Sequence, residues 1–281
     1  GLPETLEGLT REDLAAHRAK WWHPGATNII VSGGIAPDES IALAKTLFGD
    51  WSVEGEAPEP ISNPAGDVQA PRTVVVDLPD AGQAAVYVGT RALSRKDDDF
   101  YSLILANSVL GGGSSGRLFE EVRTKRSLSY GAYSSLPSRA DEAYLSASAQ
   151  TKNDTADEVA QVILGEFKRL GAEPLEEDLL AKRRLYLSGG YARALETSSG
   201  FNNIVAGLLL QGLGADEAAR YAQGLAGVSA EAASGAAAKY ANPDNATLVI
   251  VGDAKQFLDD LKAIRADVEV ITAEELNLSK P

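Results

Sequence analysis

Cysteine is absent from this sequence, which excludes disulfides and every thiolate-based zinc site. Methionine is absent too, which is unusual for a chain of 281 residues. Histidine occurs twice only, as His17 and His23, too few to support a Ser-His-Asp reading among so many serines and acids. No apolar run approaches the ~20 residues of a membrane-spanning helix, and no signal peptide is visible. Basic residues are outnumbered, 26 against 40 acidic, for a net charge of −14. That balance disfavours a nucleic-acid partner, because phosphate binding needs a concentrated basic face. It favours solubility and could draw basic peptides towards the surface.

What is present is ordinary for a globular chain: 44% hydrophobic and 23% charged residues. Thr10, followed by Glu12 and Asp13, begins a capped helix that runs to Trp21 and Trp22 and stops at Pro24-Gly25. Residues 28–32 read as a strand and 38–48 as a second helix. Residues 52–71 hold four of the 12 prolines among glycines and acids, the composition of a linker. Beyond it the chain reads as one α+β unit. Strands are expected at 73–78 and 84–91, a helix at 97–110, and a second helix from about Ser114. A hairpin follows, with arms 128–135 and 143–150. In its second arm Ala143, Leu145, Ala147 and Ala149 alternate with Tyr144, Ser146, Ser148 and Gln150, a period of two that marks one buried face. Helices fill 154–240, the longest starting at Pro174. A strand at 247–251, a short helix and a strand at 268–271 close the sequence.

Two segments repeat. Residues 20–33 align without gaps on residues 239–252 at a constant offset of 219. Both describe a helix end, a Pro-containing turn and a buried strand ending in glycine. If the second copy closes a domain of about 200 residues, the first closes a related domain whose beginning is missing here. The expected organisation is therefore residues 1–51 as the end of a preceding related domain, 52–71 as the linker, and 72–281 as a complete second domain.

The most informative stretch is 110–130. It offers a glycine turn (Gly111, Gly112, Gly113), a short helix carrying Arg123, and a strand with Tyr130 near its start. A guanidinium and a phenol brought together make a clamp for backbone carbonyls, since both donate hydrogen bonds in fixed directions. Beside a hydrolytic centre the same donors could stabilise an oxyanion. From spacing alone an alternative stands beside this one: Arg123 paired with Glu120 or another acid, and Tyr130 packed in the sheet. Gly111, Gly113 and Gly116 also satisfy Gly-x-Gly-x-x-Gly. A helix rather than a strand precedes them, however, and no acidic residue falls at the distance that dinucleotide binding requires.

This stretch resembles the second-domain signature of the insulinase-like (pitrilysin-type, M16) zinc metallopeptidases. The matching elements are the glycine turn, Arg117-Leu118-Phe119, Glu120-x-x-Arg123 and Leu128-x-Tyr130. The Pro-led, glycine-ended repeats and Leu9-Thr10-Arg11-Glu12-Asp13-Leu14 are similar to the same family. The resemblance covers nearly the entire chain. It implies an α+β fold with a mainly antiparallel sheet packed against helices, like a domain of the mitochondrial processing peptidase, preceded by the end of a related domain. It also implies that Arg123 and Tyr130 hold substrate backbone, that Gly111, Gly112 and Gly113 shape the wall of the chamber, and that unfolded peptides are cut by zinc-activated water.

The family's His-x-x-Glu-His motif is missing. His17 and His23 lie six apart without the accompanying Glu, so structural roles are expected for both. No catalytic residue or metal ligand is therefore expected in this chain. Zinc is expected in a missing half or a partner subunit, with peptide as substrate. The rival expectation is a non-catalytic partner or structural subunit of the same fold. The alanine-rich, cysteine-free composition points to a bacterial protein of the periplasm or cytoplasm, with the periplasm favoured.

Overall fold

A computed structural model describes residues 2–59 and 69–276. Part of the expected linker, residues 60–68, thus lies outside the described residues. The described residues divide into two compact units: residues 2–59 and 192–218 form one, and residues 69–191 and 219–276 the other.

The first unit holds α1 (Pro3–Glu7), α2 (Arg11–Trp21) and α3 (Pro37–Phe48). α2 starts as its sequence dictates. The Thr10 hydroxyl accepts the Asp13 N–H at 3.2 Å, and the Asp13 carboxylate accepts the Thr10 N–H at 2.9 Å. These reciprocal bonds satisfy two donors that a helix start leaves free. After α2, His23 caps a 3-10 turn over Pro24–Ala26. The expected strand at 28–32 does not form: these residues are extended but carry no ladder. A strand exists only beside another, and no strand is found in this unit among the described residues. Instead the Ser32 hydroxyl donates to the carbonyl of Ser198.

The second unit is built on a six-stranded mixed sheet. It comprises β1 (Thr73–Asp77), β2 (Ala84–Arg91), β3 (Ala132–Ser135), β4 (Tyr144–Thr151), β5 (Thr247–Gly252) and β6 (Val268–Thr272), in the order β3-β4-β2-β5-β1-β6. The ladders from β3 through β5 are antiparallel, and those joining β1 to β5 and β6 are parallel. The helices are α4 (Phe100–Gly111), a π-helix (Phe119–Lys125), α5 (Ala156–Ala172), α6 (Glu177–Leu195), α7 (Ser198–Leu210), α8 (Glu217–Ala226), α9 (Ala230–Tyr240) and α10 (Leu258–Ile264). Of these, α7 belongs to the first unit, and α6 and α8 each run from one unit into the other. Among the described residues no helix is long and apolar enough to cross a membrane.

β4 shows the expected alternation with one departure, since Ser146 is buried with its apolar neighbours. Val86 and Val88 of β2, Leu248 and Ile250 of β5 and Val75 of β1 form the buried face of the sheet. α5 supplies Val159, Ile163, Phe167 and Leu170 at helical spacing. Burying side chains of this size contributes about 2 kcal/mol each. α4 is apolar nearly all round, as befits a helix packed on several sides, and most of its residues are buried.

The repeat is visible in local geometry. α2 and α9 end at Trp21 and Tyr240, and 3-10 turns follow at Pro24–Ala26 and Pro243–Asn245. His23 Nδ1 accepts the Gly25 N–H at 3.0 Å, and the Asn242 side-chain oxygen accepts the Asp244 N–H at 2.9 Å. The copies then diverge. Leu248 and Ile250 are fully buried, whereas their counterparts Ile29 and Val31 are 48% and 44% exposed.

Two glycines give opposite forecasts. A Cβ on Gly111 would lie 2.2 Å from the backbone nitrogen of Ser134, whereas one on Gly165 in α5 meets nothing within 4 Å. Gly111→Ala should destabilise the protein by about 3 kcal/mol, because backbone cannot move aside as a side chain can. Gly165→Ala should stabilise it by about 1 kcal/mol through helix propensity. Urea unfolding of both variants measures the two shifts, which should have opposite signs.

Candidate functional site

The segment between α4 and β4 brings the candidate residues to their places. The helix expected from Ser114 begins a few residues later, and Phe119–Lys125 is wound as a π-helix. Such widened turns occur mostly as short insertions and often at functional sites. The helix is closed by Ser127, whose φ of 56° is left-handed, a conformation that costs a non-glycine residue energy and persists only when surroundings impose it. Here the reversal lets the Leu128 N–H return to the carbonyl of Val122 at 2.9 Å. Tyr130 therefore stands in the loop before β3 rather than inside a strand, because β3 begins only at Ala132.

Arg123 and Tyr130 do meet. Arg123 Nη1 donates to the Tyr130 carbonyl at 2.8 Å. The guanidinium carbon lies 5.6 Å from the Phe119 ring centre and 5.7 Å from that of Tyr130, within reach of cation–π attraction. No carboxylate pairs with Arg123 among the described residues, so the alternative of an Arg123–Glu120 pair is not what forms. Nor does Tyr130 pack in the sheet: it is 87% exposed. One of the five guanidinium N–H groups is used within the chain, which leaves donors for a ligand.

The surrounding charges are disposed differently. Glu121 accepts from Lys125 Nζ and from Arg126 Nη1, both at 2.6 Å. These two bonds, Lys125's the stronger influence, hold the Glu121 carboxyl below its ordinary pKa. Glu166 on α5 is buried, and desolvation raises its pKa although Arg169 and Arg117 lie near.

A cleft of about 610 Å3 opens beside the pair, lined by Arg123, Tyr130, Ser127, Gln83, Gln150 and Lys152 among others. Gly111, Gly112 and Gly113 are not in its wall. Gly111 sits against the backbone of β3, and Gly113, with φ of 82°, lies under the Tyr186 hydroxyl. The glycine loop is held from α6 by Arg183. This buried guanidinium donates to the Gly112 carbonyl at 3.2 Å, to the Ser115 hydroxyl at 2.9 Å and to the Ser115 carbonyl. Sequence reasoning missed Arg183, Gln83, Gln150 and Lys152. The alternation in β4 places Gln150 off the buried face, but nothing in the sequence says that the strand end faces Arg123.

The two histidines do not fit a zinc site. His17 lies against the Trp21 ring, 6.2 Å between centres, and His23 Nδ1 is engaged in its cap. Among the described residues no group of three or more His, Cys, Asp or Glu could hold a metal ion.

Known proteins place this geometry in context. The family model described as the peptidase M16 inactive domain matches residues 8–186. An uncharacterised zinc protease of Mycobacterium leprae is 29% identical over 199 residues, covering 71% of this chain and 45% of that protein. One of Bacillus subtilis is 25% identical over 199 residues, covering 71% and 47%. The chain thus spans about half the length of these relatives. In three dimensions it is similar to a protease from Helicobacter pylori, with a TM-score of 0.83, 20% identity, and coverage of 90% of this chain and 61% of that one. It is also similar to a peptidase M16 inactive domain from Pseudomonas fluorescens, with a TM-score of 0.77, 21% identity, and coverage of 89% and 59%. At those identities the structures speak for the fold.

The Glu121 cluster yields a pH-dependent forecast. A depressed folded-state pKa means the contribution is complete above the ordinary value of 4.5 and is lost as pH falls through the lower folded-state value. Glu121→Gln should therefore cost about 1 kcal/mol at pH 7. The gap between variant and parent in denaturation midpoint should close as pH drops below 4.5. A gap that stayed constant down to pH 2.5 would show that charge is not the cause.

Proposed function

The chain belongs to the family of the peptidase M16 inactive domain, and from that we propose that it is the substrate-binding, non-zinc portion of an insulinase-like metalloendopeptidase acting on unfolded peptides. The observation that carries the reading is Arg123. It is held by Tyr130 and Phe119, is unpaired with any acid among the described residues, and stands at an open cleft.

In this reading the residues of the chain bind and orient. The remaining guanidinium N–H groups of Arg123 and the hydroxyl of Tyr130 donate to carbonyls of an extended peptide. Gripping backbone rather than side chains suits broad specificity. Bond cleavage belongs to a zinc-bearing half or partner subunit, since nothing described here fits a metal.

The organisation proposed with it takes residues 1–51 as the end of a preceding related domain, 52–71 as linker and 72–281 as the second domain. The shared turn geometry at offset 219 supports a duplicated unit. The exposed Ile29 and Val31 support the further point that the first copy is covered by strands from elsewhere. Gly111, Gly112 and Gly113, absent from the wall of the cleft itself, enter the proposal as the support behind the clamp.

The test uses the full-length protein with its zinc-bearing half. Arg123→Ala should lower kcat/KM for an unstructured peptide on the order of a hundredfold, as expected for a lost oriented donor. Zinc content should stay equal to that of the parent. Undiminished activity would sink the clamp. A full-length parent that neither holds zinc nor cuts peptide would favour the non-catalytic partner subunit instead.

A further inference from the structure

The cleft beside Arg123 differs from the rest of the protein in charge. The chain carries a net −14, yet this wall includes two cations, Arg123 and Lys152, two amides, Gln83 and Gln150, and no carboxylate. Neighbouring cations are neutralised: Lys125 and Arg126 both pair with Glu121. Lys152, by contrast, forms no ion pair among the described residues. A cation left without a partner at a cleft, on a protein with acids to spare, retains its full charge for whatever enters.

Lys152 is not placed there by chance of a loose loop. Directly before it, the Thr151 hydroxyl donates to the Leu128 carbonyl at 2.6 Å, tying the end of β4 to the loop that presents Tyr130. Directly after it, the buried Asn153 donates to the Ala81 carbonyl at 2.7 Å and accepts the Asp253 N–H at 3.0 Å. The ladder sets Ala84 opposite Thr151, so Gln83 arrives beside Lys152 from the start of β2. The backbone under Lys152 is therefore fixed on both sides, while its ammonium remains exposed.

We propose that this cleft is a subsite for a carboxylate, and that the peptides held here carry an acidic side chain next to the gripped backbone. The inference rests on the substrate-binding reading above and adds the substrate class. Arg123 faces the backbone carbonyl and Lys152 the carboxylate, with the Gln83 and Gln150 amides able to donate to its second oxygen. The local positive charge overrides the negative surface at short range, because at physiological salt the distant acids are screened beyond about 8 Å. A free C-terminal carboxylate offers the same chemistry, so the experiment separates the two sources.

Three labelled peptides of one sequence serve as probes: a single Glu with an amidated C-terminus, Gln in its place with the amide, and Gln with a free C-terminus. Binding to the full-length protein is followed by fluorescence anisotropy, and cleavage is followed in parallel. The Glu peptide should bind about fivefold more tightly than its Gln counterpart, the upper range for a partly exposed pair. In Lys152→Ala the ratio should fall to about one, and in Lys152→Glu it should invert. Preference for the free C-terminus over both amides would assign the subsite to a terminal carboxylate. Equal binding of all three peptides, or a Glu preference that survives Lys152→Ala, overturns the proposal. Binding with the expected preference but without cleavage would overturn the peptidase reading alone, and no binding of any peptide would overturn both.

Discussion

At Gly111 the end of α4 lies so near the backbone of β3 that a Cβ would come within 2.2 Å of the Ser134 nitrogen, and both halves of the candidate site are positioned from this contact. With no side chain there, the helix can rest on the backbone of Tyr133 and Ser134. The chain that leaves this contact passes through the glycine loop, which Arg183 holds from behind, and winds into the π-helix that carries Arg123. The chain that returns to the contact does so through Ser127 and Tyr130 before β3 begins. Contact, loop, π-helix and strand form a closed circuit, so the Arg123–Tyr130 hydrogen bond is a consequence of where α4 ends. A glycine turn that looks like a ligand loop in sequence is, in the fold, the support on which the cleft-lining residues are hung.

Electrostatics then sorts the cations of that circuit into two kinds. Lys125 and Arg126 share Glu121 and are spent on holding the π-helix. Among the described residues Arg123 and Lys152 pair with no acid, and both line the cleft. The distinction follows from direction and not from number, since all four lie within thirty residues of one another in a chain rich in acids. Burial makes a third kind at Arg183 and Arg117, whose guanidinium groups are pushed down in pKa by desolvation. Arg183 remains tolerable inside because carbonyl and hydroxyl oxygens receive its donors.

Much of this was legible residue by residue. Thr10 and Asp13 announced the start of α2, the alternation through Leu145, Ala147 and Ala149 announced β4, and β2 runs over the expected residues 84–91. The short helix and turn between Arg123 and Tyr130 pointed to two side chains in one place, and the guanidinium carbon lies 5.7 Å from the Tyr130 ring centre, although its hydrogen bond goes to the Tyr130 backbone carbonyl. Residues 28–32 misled, because their apolar pattern is that of a strand but strand formation depends on neighbours the pattern cannot supply. The π-helix was equally out of reach, since its hydrogen bonds skip one residue further than those of an α-helix without any change in composition.

What the sequence determined by itself was therefore local: the caps, the period of each element, the repeated turn with its His23 and Asn242 caps, and the missing histidine pattern. These depend on residues a few positions apart, where spacing alone dictates geometry. Only the tertiary structure decided that Arg123 escapes Glu120, that Lys152 and Gln83 join it, and that the three glycines support the site from behind its wall. Those outcomes depend on contacts between residues 23 to 71 positions apart. They are set by sheet register and by close packing of backbone, neither of which a linear sequence displays.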